Sequence, residues 1–137
     1  MSQSELYDIG LNARKRVLGD AYVDKAVNGA DEFNQDFQNL LTSYCWGSVW
    51  GRDTLTDAQR SLNNLCILSA LNRQTEFRIH LKGALKNGCS LGEIRDTLLQ
   101  VAVYCGVPAG VEAFRIAREV FDDEGVDISS LESGDPT

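Results

Sequence analysis

The chain has 137 residues, of which 43% are hydrophobic and 24% are charged, and these values are typical of one globular domain. Residues 119–137 hold seven of the 20 acidic residues and none of the 13 basic ones, so the remaining 13 acids balance the bases and the net charge of −7 comes from the C-terminal end. No basic stripe suggests nucleic acid, and neither a long apolar run nor a signal-peptide pattern occurs. We therefore expect a cytoplasmic protein without a membrane or nucleic-acid partner.

Helical periodicity runs through nearly the whole chain, and no useful stretch alternates as a strand does. The sequence predicts an all-α fold, a compact bundle of six or seven helices over residues 1–125, followed by an acidic tail over 126–137. In chain order, the predicted helices cover about residues 3–18, 21–28, 31–45, 56–72, 75–87, 90–105 and 108–121. Residues 46–54 contain glycines, tryptophans and an arginine, and they are predicted to form a loop.

Capping patterns mark where several of these helices begin or end. Three capping boxes are present, Ser2 with Glu5, Thr56 with Gln59, and Ser90 with Glu93. Thr75 is the predicted cap of the fifth helix, Gly88 ends that helix, and Pro108 suits the first turn of the last one. The fourth helix is apolar over residues 65–71 apart from Ser69, which predicts a buried central helix.

His80 is the only histidine in the chain, and it is therefore the first candidate for general acid or base chemistry near neutral pH. Glu76 lies four residues earlier on the same predicted helix face, where a carboxylate can fix the ring tautomer and raise its pKa. Gly83 leaves space beside the ring. The structural alternative is an ordinary surface Glu–His pair.

Aromatic and cationic side chains form a second candidate group. Trp46, Trp50 and Arg52 can wall a pocket for a flat anion, but composition alone favours the alternative that the two tryptophans fill a gap between helices. Arg60 opens the fourth helix, and a partly buried arginine needs an anionic partner from the protein or from a ligand. Arg73 precedes Glu76 by about one turn.

Two further features have ordinary structural readings. Residues 104–109 join two helices, where a tyrosine and free helix amides either bind an anion or form a tight interhelical turn. The four cysteines form no C-x-x-C pair and one histidine cannot complete a two-histidine zinc site, so structural thiols and no metal site are expected.

An ordered set of short segments resembles the carboxymuconolactone decarboxylase family. The segments are VLGDAYVD at 17–24, FNQDFQ at 33–38, WGSVWGR at 46–52, RSL at 60–62, NRQTEFRIHL at 72–81 and YCGVPA at 104–109. Related peroxide-detoxifying disulfide reductases have a C-x-x-C pair before the histidine. Arg73 and Glu76 occupy those positions here, and Ser61 replaces an upstream glutamate, so that thiol chemistry is not expected.

The resemblance implies an AhpD-like helical fold and cofactor-free decarboxylation of 4-carboxymuconolactone to β-ketoadipate enol-lactone in protocatechuate catabolism. It also implies a homo-oligomer, a trimer or hexamer, acting on a small lactone carboxylate without a metal. We assign His80 as the acid that protonates carbon and Glu76 as the group that orients it. The remaining predicted site residues bind substrate carboxylates or the lactone oxygen, or exclude water: Arg60, Arg73, Arg52, Trp46 and Trp50.

Two other functions remain open at this point. One is an isomerase or lyase that acts on a related lactone or enol, and the other is a non-catalytic helical assembly. Asp53 and Thr54 stand where the decarboxylases often have Pro-Gly, beside the predicted pocket. A related lactone or a biosynthetic intermediate is therefore an alternative substrate.

Overall fold

A computed structural model of the chain describes residues 1–131 and contains, within that range, α-helices, one π-helix, one 3-10 turn and no strand. The predicted all-α fold is therefore confirmed. The elements are α1 Gln3–Leu18, α2 Asp20–Asn28, α3 Gln35–Leu40, the π-helix Leu41–Trp50, α4 Asp57–Ala70, α5 Gln74–Lys86, α6 Leu91–Cys105, α7 Val107–Asp123 and the 3-10 turn Ile128–Ser130. No helix within the described range combines the length and the apolar character that a membrane span requires.

The chain divides into two units, Met1–Arg60 and Ser61–Thr137, and their boundary lies inside α4. The predicted division into a helical domain and an acidic tail stays a prediction. The first residues of that tail are ordered, since Asp127 caps the 3-10 turn by accepting a hydrogen bond from the Ser129 amide at 3.0 Å. Residues 132–137, the rest of the predicted tail, lie outside the described residues.

In the first unit, α1 packs directly against the π-helix. Two glycines allow this close approach, because a β-carbon on Gly10 would overlap the carbonyl oxygen of Thr42, and one on Gly47 would overlap the backbone of α1. The predicted capping box at Ser2 is present and begins α1. The backbones of α1 and the π-helix are therefore in van der Waals contact where these glycines lie.

The predicted loop at 46–54 is wrong over its first half, because the third helix continues as a π-helix as far as Trp50. Trp46 and Trp50 are only 3% and 4% exposed, and their ring centroids lie 4.8 Å apart. Together with Ala13 and Val17 of α1 they form the apolar core of this unit. Burial of both indole rings against α1 outweighs the low helix propensity of the glycines in this segment.

In the second unit, α7 packs against both α5 and α6. Gly110 of α7 faces Ala102 of α6, and a β-carbon on Gly110 would lie 2.6 Å from the Ala102 side chain. Arg78 of α5 forms an ion pair with Glu119 of α7. The capping box at Ser90 begins α6 as predicted.

Two predictions about α4 and α5 are wrong. Thr75 does not cap α5, because the helix begins at Gln74 and its first turn has no side-chain cap. The apolar stretch predicted at 65–71 is not wholly buried: Leu65 is fully buried, whereas Ile67 is 51% exposed and Leu71, the residue after α4, is 62% exposed. Some apolar side chains of this segment therefore remain exposed on the surface of the protomer.

Candidate functional site

His80 is positioned by the amphipathic helix α5. Phe77, Leu81 and Ala84 form the buried face of that helix and hold it in the second unit. The adjacent face carries Glu76, which is exposed, and His80, which is half-buried. The imidazole is therefore fixed by a packed helix and is largely withdrawn from water.

The ring of His80 contacts Asn64, which α4 contributes to the same unit. The Asn64 amide nitrogen lies 3.4 Å from Nδ1 of the imidazole. An amide nitrogen only donates hydrogen bonds, so in this arrangement Nδ1 accepts and the proton of a neutral ring resides on Nε2. Sequence reasoning missed Asn64, because it lies 16 residues before His80 in the chain and on another helix.

Burial determines the protonation state of this histidine. Desolvation lowers the pKa of His80 from 6.5 to about 4, and the negative charge of Glu76 opposes this effect without overcoming it. The expectation that Glu76 raises the pKa is therefore correct in direction, but burial is the larger cause. In the free protein the imidazole is neutral at neutral pH.

Arg60 lies on the same helix, α4, four residues before Asn64. Its Nε atom is buried and has no hydrogen-bond partner among the described residues. A buried guanidinium nitrogen is energetically unfavourable unless an anion or a carbonyl oxygen accepts a hydrogen bond from it. This geometry fits the predicted role of Arg60 as a ligand for a substrate carboxylate or carbonyl.

Arg73 is exposed and lines a cavity of about 360 Å³ in the second unit. The cavity is also lined by Phe77 of α5 and by Cys105 and Pro108 near the start of α7, but not by His80. The turn before α7 contains Gly106 at φ 103°, a left-handed conformation that favours glycine. Arg73 is the N-cap residue of α5 and His80 lies within that helix, but the structure does not place them on one cavity.

Trp46, Trp50 and Arg52 belong to the first unit. The tryptophan rings lie in its core, which agrees with the alternative that they fill a gap between helices. Trp50 and the exposed Arg52 also line a second cavity, of about 340 Å³, with Arg16 and Asp57. Substrate binding by these three predicted residues stays a prediction.

The first unit also contains a buried cation that sequence reasoning missed. Arg14 is 3% exposed, and it donates hydrogen bonds to the Gln38 side chain at 3.0 Å and to the Thr42 hydroxyl at 3.4 Å. Its Nε atom has no hydrogen-bond partner in residues 1–131. Burial lowers the pKa of Arg14, and the partial compensation comes from Tyr22 and other weakly acidic groups rather than from a carboxylate.

The four cysteines all lie within residues 1–131, and none of them forms a disulfide bond there. Burial raises the pKa of Cys89 to about 11, so that thiol is protonated and unreactive at neutral pH. Cys105 is exposed, so it is not a buried structural thiol. Within the described part of the chain, no group of three or more histidine, cysteine or acidic side chains is arranged to hold a metal ion.

Comparison with known proteins identifies relatives along most of the chain. The model of the carboxymuconolactone decarboxylase family matches residues 35–119. A 4-carboxymuconolactone decarboxylase of Acinetobacter baylyi is 38% identical over 126 residues, which cover 92% of this chain and 94% of that protein. A nitrosuccinic acid decarboxylase of Metarhizium robertsii is 39% identical over 118 residues, 86% of this chain and 82% of that protein. A 4-carboxymuconolactone decarboxylase of Pseudomonas putida is 38% identical over 47 residues, 34% of this chain and 98% of that sequence.

Proposed function

Because this chain belongs to the carboxymuconolactone decarboxylase family, we propose that it is a cofactor-independent carboxy-lyase that acts on 4-carboxymuconolactone. The observation that carries this proposal is the 38% identity to a 4-carboxymuconolactone decarboxylase over 92% of this chain and 94% of that relative. The proposed pathway is the catabolism of aromatic acids through β-ketoadipate, in the cytoplasm.

The chemistry of this substrate explains why no cofactor is needed. The carboxylate that leaves is attached to a ring carbon in conjugation, through one double bond, with the lactone carbonyl. When the carbon–carbon bond breaks, its electron pair moves through that double bond onto the carbonyl oxygen and gives a dienolate and carbon dioxide. One proton then adds to the α-carbon and yields the enol-lactone. The protein must stabilise the oxyanion and supply that proton.

In this proposal His80 supplies the proton and Glu76 supports it. The free protein holds the imidazole neutral, with a pKa of about 4. The substrate carries two carboxylates, and negative charge beside the ring raises its pKa. Binding of substrate therefore favours uptake of the proton that the reaction consumes, and the acid is charged in the complex rather than in the free protein.

The arginines are proposed to hold the charged parts of the substrate. Arg60 is the best supported, because its buried Nε atom lacks an acceptor. Arg73 and Arg52 are exposed side chains that line separate cavities, one in each unit, where an anion is accessible to them. The buried rings of Trp46 and Trp50 exclude water from the first unit and so strengthen any electrostatic interaction near them.

A second candidate substrate is nitrosuccinate, which the 39% identity to a nitrosuccinic acid decarboxylase favours. In this molecule the nitro group takes the place of the lactone as the electron sink. Loss of carbon dioxide next to the nitro group gives a nitronate, and protonation of its carbon gives 3-nitropropanoate. Both reactions require a bound dicarboxylate, a stabilised oxyanion and one proton delivered to carbon, so the same histidine serves either substrate.

We also propose that the protein is a homo-oligomer, a trimer or hexamer. In the first unit, Phe33, Phe37, Leu40 and Tyr44 are 96%, 60%, 57% and 69% exposed. The second unit likewise exposes large apolar residues at the end of α6 and the start of α7: Leu99, Val103, Tyr104, Val107 and Val111. Apolar patches of this kind are typical of subunit interfaces.

The test is turnover by the purified protein in a chelator and without added cofactor. 4-Carboxymuconolactone is generated in situ, nitrosuccinate is tested in parallel, and substrate loss and carbon dioxide are followed together. We expect stoichiometric carbon dioxide from one of the two substrates and a loss of at least about 100-fold in His80→Gln. Lactone loss without carbon dioxide would indicate an isomerase or hydrolase, and full activity of His80→Gln would contradict the assignment of the acid.

A further inference from the structure

Asn64 is the neighbour of His80 that neither the motifs nor the family comparison singles out. It is half-buried on α4, and its side-chain nitrogen faces Nδ1 of the imidazole at 3.4 Å. Asn63 precedes it and is exposed on a different face of the same helix. The two asparagines therefore differ in their relation to the histidine and not in their chemistry.

We propose that Asn64 is the positioning residue of His80, which holds Nδ1 so that Nε2 is the nitrogen that exchanges a proton with the substrate. The inference rests on the proposed function for the role of His80 as the acid. The hydrogen bond itself, and the tautomer that it selects, do not depend on which substrate is used. Asn64 touches only the imidazole in this proposal and is not itself a catalytic group.

An asparagine suits this position because its amide is both a donor and an acceptor. With the neutral ring, the amide nitrogen donates to Nδ1. When the ring becomes protonated, rotation of the amide by half a turn presents Oδ1 to the new Nδ1 proton. Asn64 therefore keeps one ring orientation in both protonation states, whereas an aspartate would favour the charged ring and a leucine would support neither state.

The charged groups around the ring allow substitutions at positions 63 and 64 to be compared directly. Glu76, on the same helix as His80, is the charged group that acts on the pKa of the imidazole, and the residue facing the ring from α4 is the uncharged Asn64. A carboxylate introduced at position 64 would directly face Nδ1. The same charge at position 63 would be exposed to solvent and screened.

The first measurement is nitrogen-15 NMR of the histidine-labelled protein, in which a single histidine gives an unambiguous signal. We expect the neutral ring of the parent protein to carry its proton on Nε2. Asn64→Asp should move the proton to Nδ1 and raise the pKa of the ring, while Asn63→Asp should leave both close to the parent. Asn64→Leu should give a mixture of tautomers.

The second measurement is steady-state kinetics on the substrate that the parent protein decarboxylates. We expect Asn64→Leu to lower kcat by about 10-fold or more with little change in KM, and Asn63→Leu to match the parent. Because His80 must be protonated to donate, the alkaline limb of kcat/KM should move to higher pH in Asn64→Asp, whose nearly isosteric side chain preserves the packing.

A proton on Nδ1 in the parent protein would overturn the proposal, as would equal effects of the variants at positions 63 and 64. If the parent turns over neither substrate, the proposed function fails while the NMR spectra still decide whether Asn64 sets the tautomer. If the tautomer is as expected but Asn64→Leu retains full kcat, the positioning role is wrong and the decarboxylase assignment is unaffected.

Discussion

The buried neutral His80 should make folding stability depend on pH in a way that one substitution removes. The pKa of this ring is about 4 in the folded protein against 6.5 as the ordinary value. Between those two pH values the unfolded chain binds a proton that the folded chain does not, so stability falls as the pH decreases through this window. Above about pH 7 both states are neutral and the effect vanishes.

The magnitude follows from the difference between the two values. At about 1.4 kcal/mol for each pH unit, protonation of the unfolded state removes about 2 kcal/mol at pH 5 and about 3 kcal/mol at pH 4. These are upper limits, because the half-buried ring keeps some contact with water. His80→Gln has no titrating group at this position and should lack this component entirely.

The assay is urea unfolding of the parent protein and of His80→Gln at pH 7, 6, 5 and 4.5, at equal protomer concentration because assembly also contributes to stability. Carboxylates titrate in both proteins, so their effect cancels in the difference. We expect the parent to lose about 1–2 kcal/mol relative to the variant between pH 7 and pH 5. A difference that is constant with pH, or an NMR titration of His80 with a pKa near 6.5, would refute the reasoning.

Three other substitutions probe the packing, the charge and the surface of the first unit, and Gly92→Ala in the second unit is a control for the first of them. Gly10→Ala should lower the free energy of unfolding in urea by about 2 kcal/mol or more, because the new methyl group meets the backbone of Thr42. The control Gly92→Ala should be neutral or slightly stabilising, because its β-carbon would have no neighbour closer than 3.8 Å. Arg14→Met should raise the free energy of unfolding by about 1 kcal/mol or more, since it removes a buried cation that has no carboxylate partner among residues 1–131. A marked destabilisation in the same assay would show that the protein compensates the charge of Arg14. Phe33→Ser should lower the oligomer mass measured by light scattering without changing the helical content measured by circular dichroism, because the Phe33 side chain is 96% exposed in the protomer. An unchanged mass would exclude Phe33 from a subunit interface.

Local signals predicted most of the helix boundaries. The capping boxes at Ser2, Thr56 and Ser90 are all formed, because each depends on side chains only three residues apart. Gly88 follows α5 at φ 87°, again a local requirement. The π-helix could not be predicted in this way. Its glycines lower helix propensity, and only the packing of Trp46 and neighbouring residues against α1 keeps the segment helical.

The candidate site was predictable only in its residue types. His80 stands out because it is the only histidine, and Glu76 because it is one turn away, but neither fact reveals how strongly the ring is desolvated. The partner of Nδ1 was equally inaccessible, since Asn64 and His80 are 16 residues apart and meet only when α4 and α5 pack. Sequence spacing identifies neighbours within one helix, whereas pKa values and tautomers depend on contacts between helices.

Burial of His80 links the protonation state of the free protein to the proposed chemistry. The low polarity that depresses the pKa of the imidazole would also destabilise the carboxylate of a substrate bound beside it, and a less solvated carboxylate loses carbon dioxide more readily. The charge of that bound substrate would in turn raise the pKa of His80 and draw a proton into the site. A single neutral histidine in a dry environment can therefore become an acid only when an anionic substrate is present.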